Sequence, residues 1–130
     1  MKNFLIVLLA CFLSVATISA NMTVVKRIFE DSVVSGSSSL VCTPINLSED
    51  AGQVSLQWTL AGSGTVTIDY LVSNDGINFY RPTTAIGIVT GATAGSGLAA
   101  FYPEFAKFIS IRVLETAGSS ITINAWLAMQ

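Results

Sequence analysis

Histidine is missing from all 130 residues, and that absence removes whole classes of chemistry. No Ser-His-Asp triad can be assembled, and no imidazole can hold a metal ion. Cysteine is nearly as scarce, with only Cys11 and Cys42, and Cys11 lies inside an apolar N-terminal run. Removal of that run leaves Cys42 without an intramolecular partner, and one thiol without a histidine base is a poor nucleophile. Next to Leu40 and Val41, Cys42 reads as a small buried apolar residue, with an intermolecular bridge as the alternative.

Charge is thin as well. Charged residues make up 11% of the chain, against about 25% in an ordinary soluble domain. Ser, Thr, Asn, Gln and Gly must therefore cover surface that Lys and Glu usually cover. Such a surface is cheap to desolvate, which suits packing against copies of itself or docking onto neutral sugars; the alternative is a monomer that is Thr-rich because strands favour threonine. Lys26, Arg27, Arg81, Lys107 and Arg112 are scattered and form no basic stripe, so the sequence predicts no nucleic-acid partner.

What is present begins with the leader. Lys2, the apolar stretch Phe4 to Val15 and the small-residue exit Ile18-Ser19-Ala20 read as a secretory signal peptide over residues 1–20, cleaved before Asn21. Cleavage after Ala16 is a second option. Leu8-Leu9-Ala10-Cys11 also matches a lipobox, which would leave the protein lipid-anchored at Cys11. An uncleaved anchor is disfavoured because the apolar stretch is near the short limit for a bilayer and ends in small residues. Cleavage at residue 20 leaves a single domain over 22–130 with five cations against eight acids, a formal charge of −3. The expected destination is secreted, extracellular or periplasmic, with no stable membrane span after cleavage. Asn21-Met22-Thr23 and Asn46-Leu47-Ser48 are sequons that a eukaryotic secretory route would be able to glycosylate.

Beyond the leader the pattern has period two. Val54, Leu56, Trp58 and Leu60 alternate with Ser55, Gln57 and Thr59; after Ala61-Gly62-Ser63-Gly64, Val66, Ile68, Tyr70 and Val72 alternate with Thr67, Asp69 and Leu71. These two runs are predicted as an antiparallel hairpin with both apolar faces toward one core. Ser73-Asn74-Asp75-Gly76 is a turn, and Ile77 to Tyr80 is expected to return as a strand. A softer strand covers Ala85 to Thr90, a loop covers Gly91 to Gly97, and Leu98 to Tyr102 follows. Phe108 to Glu115 and Ser120 to Met129 are the clearest late strands, while Thr23 to Phe29 and Ser38 to Cys42 are weaker. About eight or nine short strands at this spacing, with no helix longer than a turn, predict an all-β antiparallel sandwich of jelly-roll type.

Three stretches carry a resemblance. Tyr70 to Gly76 with Phe79 soon after, Phe105 to Val113, and the Trp-bearing Asn124-Ala125-Trp126 together resemble discoidin-like domains and the small jelly-roll modules of phage tail-fibre and virion-decoration proteins, over Gln53 to Gln130. The resemblance implies a β-sandwich that presents loops to glycans or lipids, or packs in a surface assembly. The paired cysteines that often join the ends of discoidin domains are missing here, and no ligand residue carries over by position.

Candidate site residues follow from the alternation. Trp126 is out of register with Ile121, Ile123, Ala125 and Leu127, which sends it to the outer face beside Thr122 and Asn124. Phe79, Tyr80 and Arg81 follow the Asn-Asp-Gly turn. Trp126 with Tyr80 and Arg81, and Phe79 nearby, form the candidate sugar-stacking platform; a hydrophobic rim or an intersubunit contact is the other reading of the same rings. Trp58 and Tyr70 are assigned to the core. Asp69, Asp75, Glu104 and Glu115 are read as solvated turn and strand-edge charges, with no two placed together as a glycosidase pair. Asn74 to Asn78 lacks the ligand set of a calcium loop. No catalytic residue, cofactor or metal is predicted. The sequence thus points to a secreted, non-enzymatic structural or adhesive surface component that self-associates, with a carbohydrate-binding module as the alternative and a glycan-cleaving enzyme as a weaker one.

Overall fold

A computed structural model describes residues 23–47, 52–83 and 87–130. The leader, Cys11, the Asn21 sequon and the start of the Ala85 to Thr90 strand lie outside them. Nine strands form: β1 (Val24–Ser35), β2 (Ser39–Val41), β3 (Ile45–Asn46), β4 (Val54–Gly62), β5 (Val66–Ser73), β6 (Val89–Ala92), β7 (Gly95–Phe101), β8 (Phe108–Glu115) and β9 (Ser120–Met129). No helix occurs among the described residues.

Every pairing is antiparallel, and the strands divide into two sheets ordered β1-β9-β4-β7 and β2-β8-β5-β6. β3 also pairs with β8, farther along the same strand that β2 pairs with, so β2 and β3 act as one strand interrupted before Pro44. With that merger the order is the two four-stranded sheets of a jelly roll. Alternation decides the core: Val54, Leu56, Leu60, Ile121, Ile123, Ala125 and Leu127 from one sheet meet Val66, Ile68, Tyr70, Ile109, Ile111 and Val113 from the other. Cys42 is buried among them, as expected, with its Sγ accepting the Ile111 N–H at 3.1 Å. Burial pushes its thiol pKa up.

The predicted hairpin of β4 with β5 does not form. Their apolar faces do share one core, but from opposite sheets. Gly62 is still paired with Ile121 of β9, and the amides of Ser63 and Gly64 both donate to the Ser120 carbonyl, at 3.2 and 3.1 Å. A Cβ at Gly62 would stand 2.6 Å from that carbonyl oxygen, and its φ is +127°. Glycine here lets the chain press against β9 and cross the sandwich instead of folding back.

Three smaller expectations are also revised. Ile77 to Tyr80 forms no strand, because Asp75 captures the Ile77 and Asn78 amides and leaves only Tyr80 to bridge Val72. Gly91 to Gly97 is mostly strand rather than loop, since β6 ends at Ala92 and β7 begins at Gly95. β1 runs to Ser35, six residues past the predicted Phe29, bending at register shifts around Phe29.

Candidate functional site

Trp126 occupies the outer face of the β1-β9-β4-β7 sheet, as its register predicts. It pairs with Arg27 on one side and Gln57 on the other, and the Arg27 guanidinium lies 5.4 Å from the ring centroid. The indole is half-buried beneath this cation. Arg81 lies elsewhere: its Nε is 3.3 Å from Asp69 Oδ2, on the outer face of the other sheet. The structure therefore separates Trp126 from Arg81 and Tyr80, and the single platform joining them is not assembled. Period two assigns a face within a sheet and does not say which sheet a strand enters.

Asp69 is the second correction. It alternates with Ile68 and Tyr70, so it faces outward, yet it is only 2% exposed. Arg112, its cross-strand neighbour on β8, grips it through two bonds, Nε to Oδ1 at 2.8 Å and Nη2 to Oδ2 at 2.5 Å. The bonds to Asp69 push the Arg112 pKa upward. Pro82 is buried next to Arg81, so the segment after Tyr80 lies over this pair. Asp69 works as an internal fastener and is no solvated strand-edge charge.

Glu115 is likewise buried instead of solvated. At the end of β8 its two oxygens accept the amides of Ser37, Thr65, Ala117 and Gly118, at 2.8 to 3.3 Å. These come from the β1–β2, β4–β5 and β8–β9 connections. Burial pushes the carboxyl pKa up, and the amides of Ala117, Ser37, Thr65 and Ser119 more than reverse this, holding it at about 2.

At the other end of β5, Asp75 Oδ1 accepts from Ser73 Oγ and from the amides of Ile77 and Asn78, each at 2.8 Å, and Oδ2 accepts from Asn78 Nδ2 at 2.7 Å. The Asn78 side-chain bond leads these in holding the Asp75 carboxyl far below the usual carboxylate range. The turn forms one wall of an open groove of about 440 Å³, lined by Asn74, Asp75, Asn78 and Tyr80 and, opposite, by Glu104 and Phe105. Tyr80 is 69% and Phe105 103% exposed, so two aromatic rings stand free at its rim. Asp75 and Glu104 do share this groove, against the expectation that no two acids meet. Phe79 is half-buried beside it. Phe105 was missed as a site residue because the alternating pattern around it reads as a strand approach.

A second feature escaped the sequence reading. From Pro82 to Pro103 there is no charged residue, and this stretch supplies both β6 and β7, the edge strands on one flank of the two sheets. A scan for runs without charge would have found it. The opposite flank is different: β1 carries Lys26, Arg27, Glu30 and Asp31 and two register shifts, and Asn124 clamps the bend by accepting the Asp31 amide. Among the described residues no group of three or more acidic or thiol side chains converges as a metal site.

No protein-family model and no curated protein sequence matches the chain. Among solved structures, one of the infectious bursal disease virus Gx strain matches 84% of this chain at 13% identity with a TM-score of 0.56. The likeness is one of fold. The chain spans about a third of that structure's length, 32%. Bacillus endospore appendages that form disulfide-linked pili match 83% of this chain and 87% of theirs, at 14% identity and a TM-score of 0.44. The enzymatically active domain of bacteriophage CBA120 tailspike protein 4 matches 83% of this chain and 19% of its own, at 13% identity and 0.48. The first of these likenesses agrees with the jelly-roll order of the two sheets, and identities this low carry no function across.

Proposed function

We propose that this protein is a secreted, non-enzymatic structural or adhesive component of an extracellular assembly that self-associates. The uncharged flank carries this reading. An edge strand exposes unpaired backbone donors and acceptors, and proteins that stay monomeric usually guard such edges with lysine, proline or bulges. β1 is guarded in that way and β7 is not. Export rests on the N-terminal leader. Light scattering coupled to size-exclusion chromatography, over a range of protein concentrations, tests the reading: a mass above one chain is expected, and a monomer throughout refutes it.

The groove favours carbohydrate binding as a second reading. Two exposed rings beside the amides of Asn74 and Asn78 match the apolar face and hydroxyl rim of a neutral sugar. A glycan array would show binding lost in Tyr80→Ala and Phe105→Ala and kept in Trp126→Ala, whose ring is already covered by Arg27. Loss with Trp126→Ala alone would return the site to the sheet face. Glycan cleavage, which would need two carboxyls flanking the scissile bond, is the weaker reading, with Asp75 and Glu104 as its pair in the groove. Polysaccharide turnover abolished by Asp75→Asn or Glu104→Gln would overturn the non-enzymatic reading.

A further inference from the structure

The geometry points to a particular contact: β7 pairs antiparallel with β7 of a second copy, about a two-fold axis through Leu98, so that two four-stranded sheets become one of eight. This rests on the self-association reading and names its surface. β7 is the only edge strand among those described that is long, regular and uncharged. Its ladder with β4 runs unbroken from Leu60↔Gly95 to Val54↔Phe101. β6 has four residues and a register shift, β2 and β3 have three and two, and β1 bends twice.

Self-pairing sets each residue against its mirror position, and only the residue on the axis meets its own copy. β1 would bring four charged side chains and two register shifts to the contact, whereas Gly-Ser-Gly-Leu-Ala-Ala-Phe brings neither. Leu98 is the middle residue of β7 and is 67% exposed on the outer face. On the axis it packs against its own copy, which explains a large apolar side chain left in water at a sheet edge. Pairing about Leu98 also sets Phe101 opposite Gly95 of the second copy and Ala100 opposite Ser96, small residues that let the backbones reach ladder spacing. A central apolar Leu98 with Phe101 set against Gly95 is a self-complementary arrangement, and this commits the edge to a second copy of the chain.

Leu98→Cys tests the register in the full chain. Directly opposed antiparallel residues have Cα atoms about 4.5–5.5 Å apart, inside the about 4.4–6.8 Å that a disulfide spans. Mild oxidation is expected to yield a dimer on non-reducing electrophoresis. Thr93→Cys, exposed in the β6–β7 turn and off the axis, is expected to remain monomeric on the same gel. Leu98→Lys is expected to lose the dimer by light scattering while keeping the wild-type circular dichroism and a single cooperative melt whose midpoint no longer depends on protein concentration, and Val33→Lys on β1 is expected to keep the dimer. If the protein assembles but Leu98→Cys does not cross-link and Leu98→Lys still assembles, the β7 contact is wrong and self-association stands. A wild-type monomer at every concentration removes both.

Discussion

Gly97→Ala is the sharpest test of how β7 is held. Gly97 sits opposite Trp58 in the β4–β7 ladder, and a Cβ there would stand 2.3 Å from Trp58 Cζ2, 2.7 Å from Cε2 and 2.9 Å from Cη2. Favourable carbon contacts lie at about 3.5–4.0 Å, so the added methyl overlaps the indole by about 1 Å or more. Relief requires the ring to leave its rotamer or β7 to move away from β4, and overpacking of this kind costs about 1–3 kcal/mol. Against it stands the reduced freedom of the unfolded chain, worth about 0.4–1 kcal/mol wherever alanine fits the backbone. It does fit here, since Gly97 is not among the positive-φ glycines. The net expectation is a loss of about 1–2 kcal/mol, and about 4–8 °C in Tm for each kcal/mol in a domain of this size. Urea unfolding followed by fluorescence and circular dichroism measures it. Gly52→Ala, with nothing within 4 Å of its added Cβ, is the control and is expected to be neutral or slightly stabilising. In a Trp58→Leu background the Gly97→Ala cost is expected to shrink by at least about 0.5 kcal/mol. A Gly97→Ala protein as stable as wild type would show that the indole does not rest on this glycine.

Glu115 sets an acid limit: its folded pKa of about 2 lies below the ordinary 4.5, so the folded state takes up its proton less readily than the unfolded chain. Its stabilisation is complete above about pH 4.5 and is lost as pH falls toward 2; urea midpoints across that window are expected to drop, and Glu115→Gln to flatten the drop and lower the midpoint at pH 7. Arg112→Leu leaves buried Asp69 without its bidentate partner, with Arg81 at 3.3 Å, and is expected to cost about 3 kcal/mol by urea unfolding; adding Asp69→Leu is expected to recover most of it. Cys42, buried with a raised thiol pKa, is expected to react with a thiol reagent only as fast as the protein unfolds, and rapid labelling of the native protein would place it at the surface.

The clearest strands were readable to the residue. Phe108–Glu115 and Ser120–Met129 alternate without interruption, and the structure gives them the predicted ends. Partners were not readable, because a period of two assigns a side chain to a face and says nothing about which strand lies beside it. The β4–β5 connection shows the gap: Gly62 to Gly64 looks like a hairpin turn in sequence and is a crossing between sheets because of Ser120, far along the chain. Asp69 and Glu115 were misplaced for the same reason. Their burial depends on Arg112 and on amides from three separate connections, of which only the β8–β9 one lies near Glu115 in sequence. Of the proposed site, Tyr80 was legible as the ring after a turn, while Phe105 across the groove was not.

The scarce charges have a common use that bears on how copies would meet. Asp69, Arg81 and Arg112 join each other, Asp75 and Glu115 hold their own connections, and Arg27 is tied to Glu30 and Asn124. None of these charges stands on β6 or β7, so the guarding of that flank would have to come from bends, as at β1, and it is lacking at β7. A contact made by backbone ladders and Leu98 has no ion pair for salt to screen, and salts that strengthen apolar burial would favour it. Raising sodium sulfate from low to molar concentration is therefore expected to leave the assembled fraction unchanged or increased in light scattering. A contact through Arg27, Glu30 or Lys107 would weaken over the same range, and dissociation with rising salt would refute assembly through the uncharged flank.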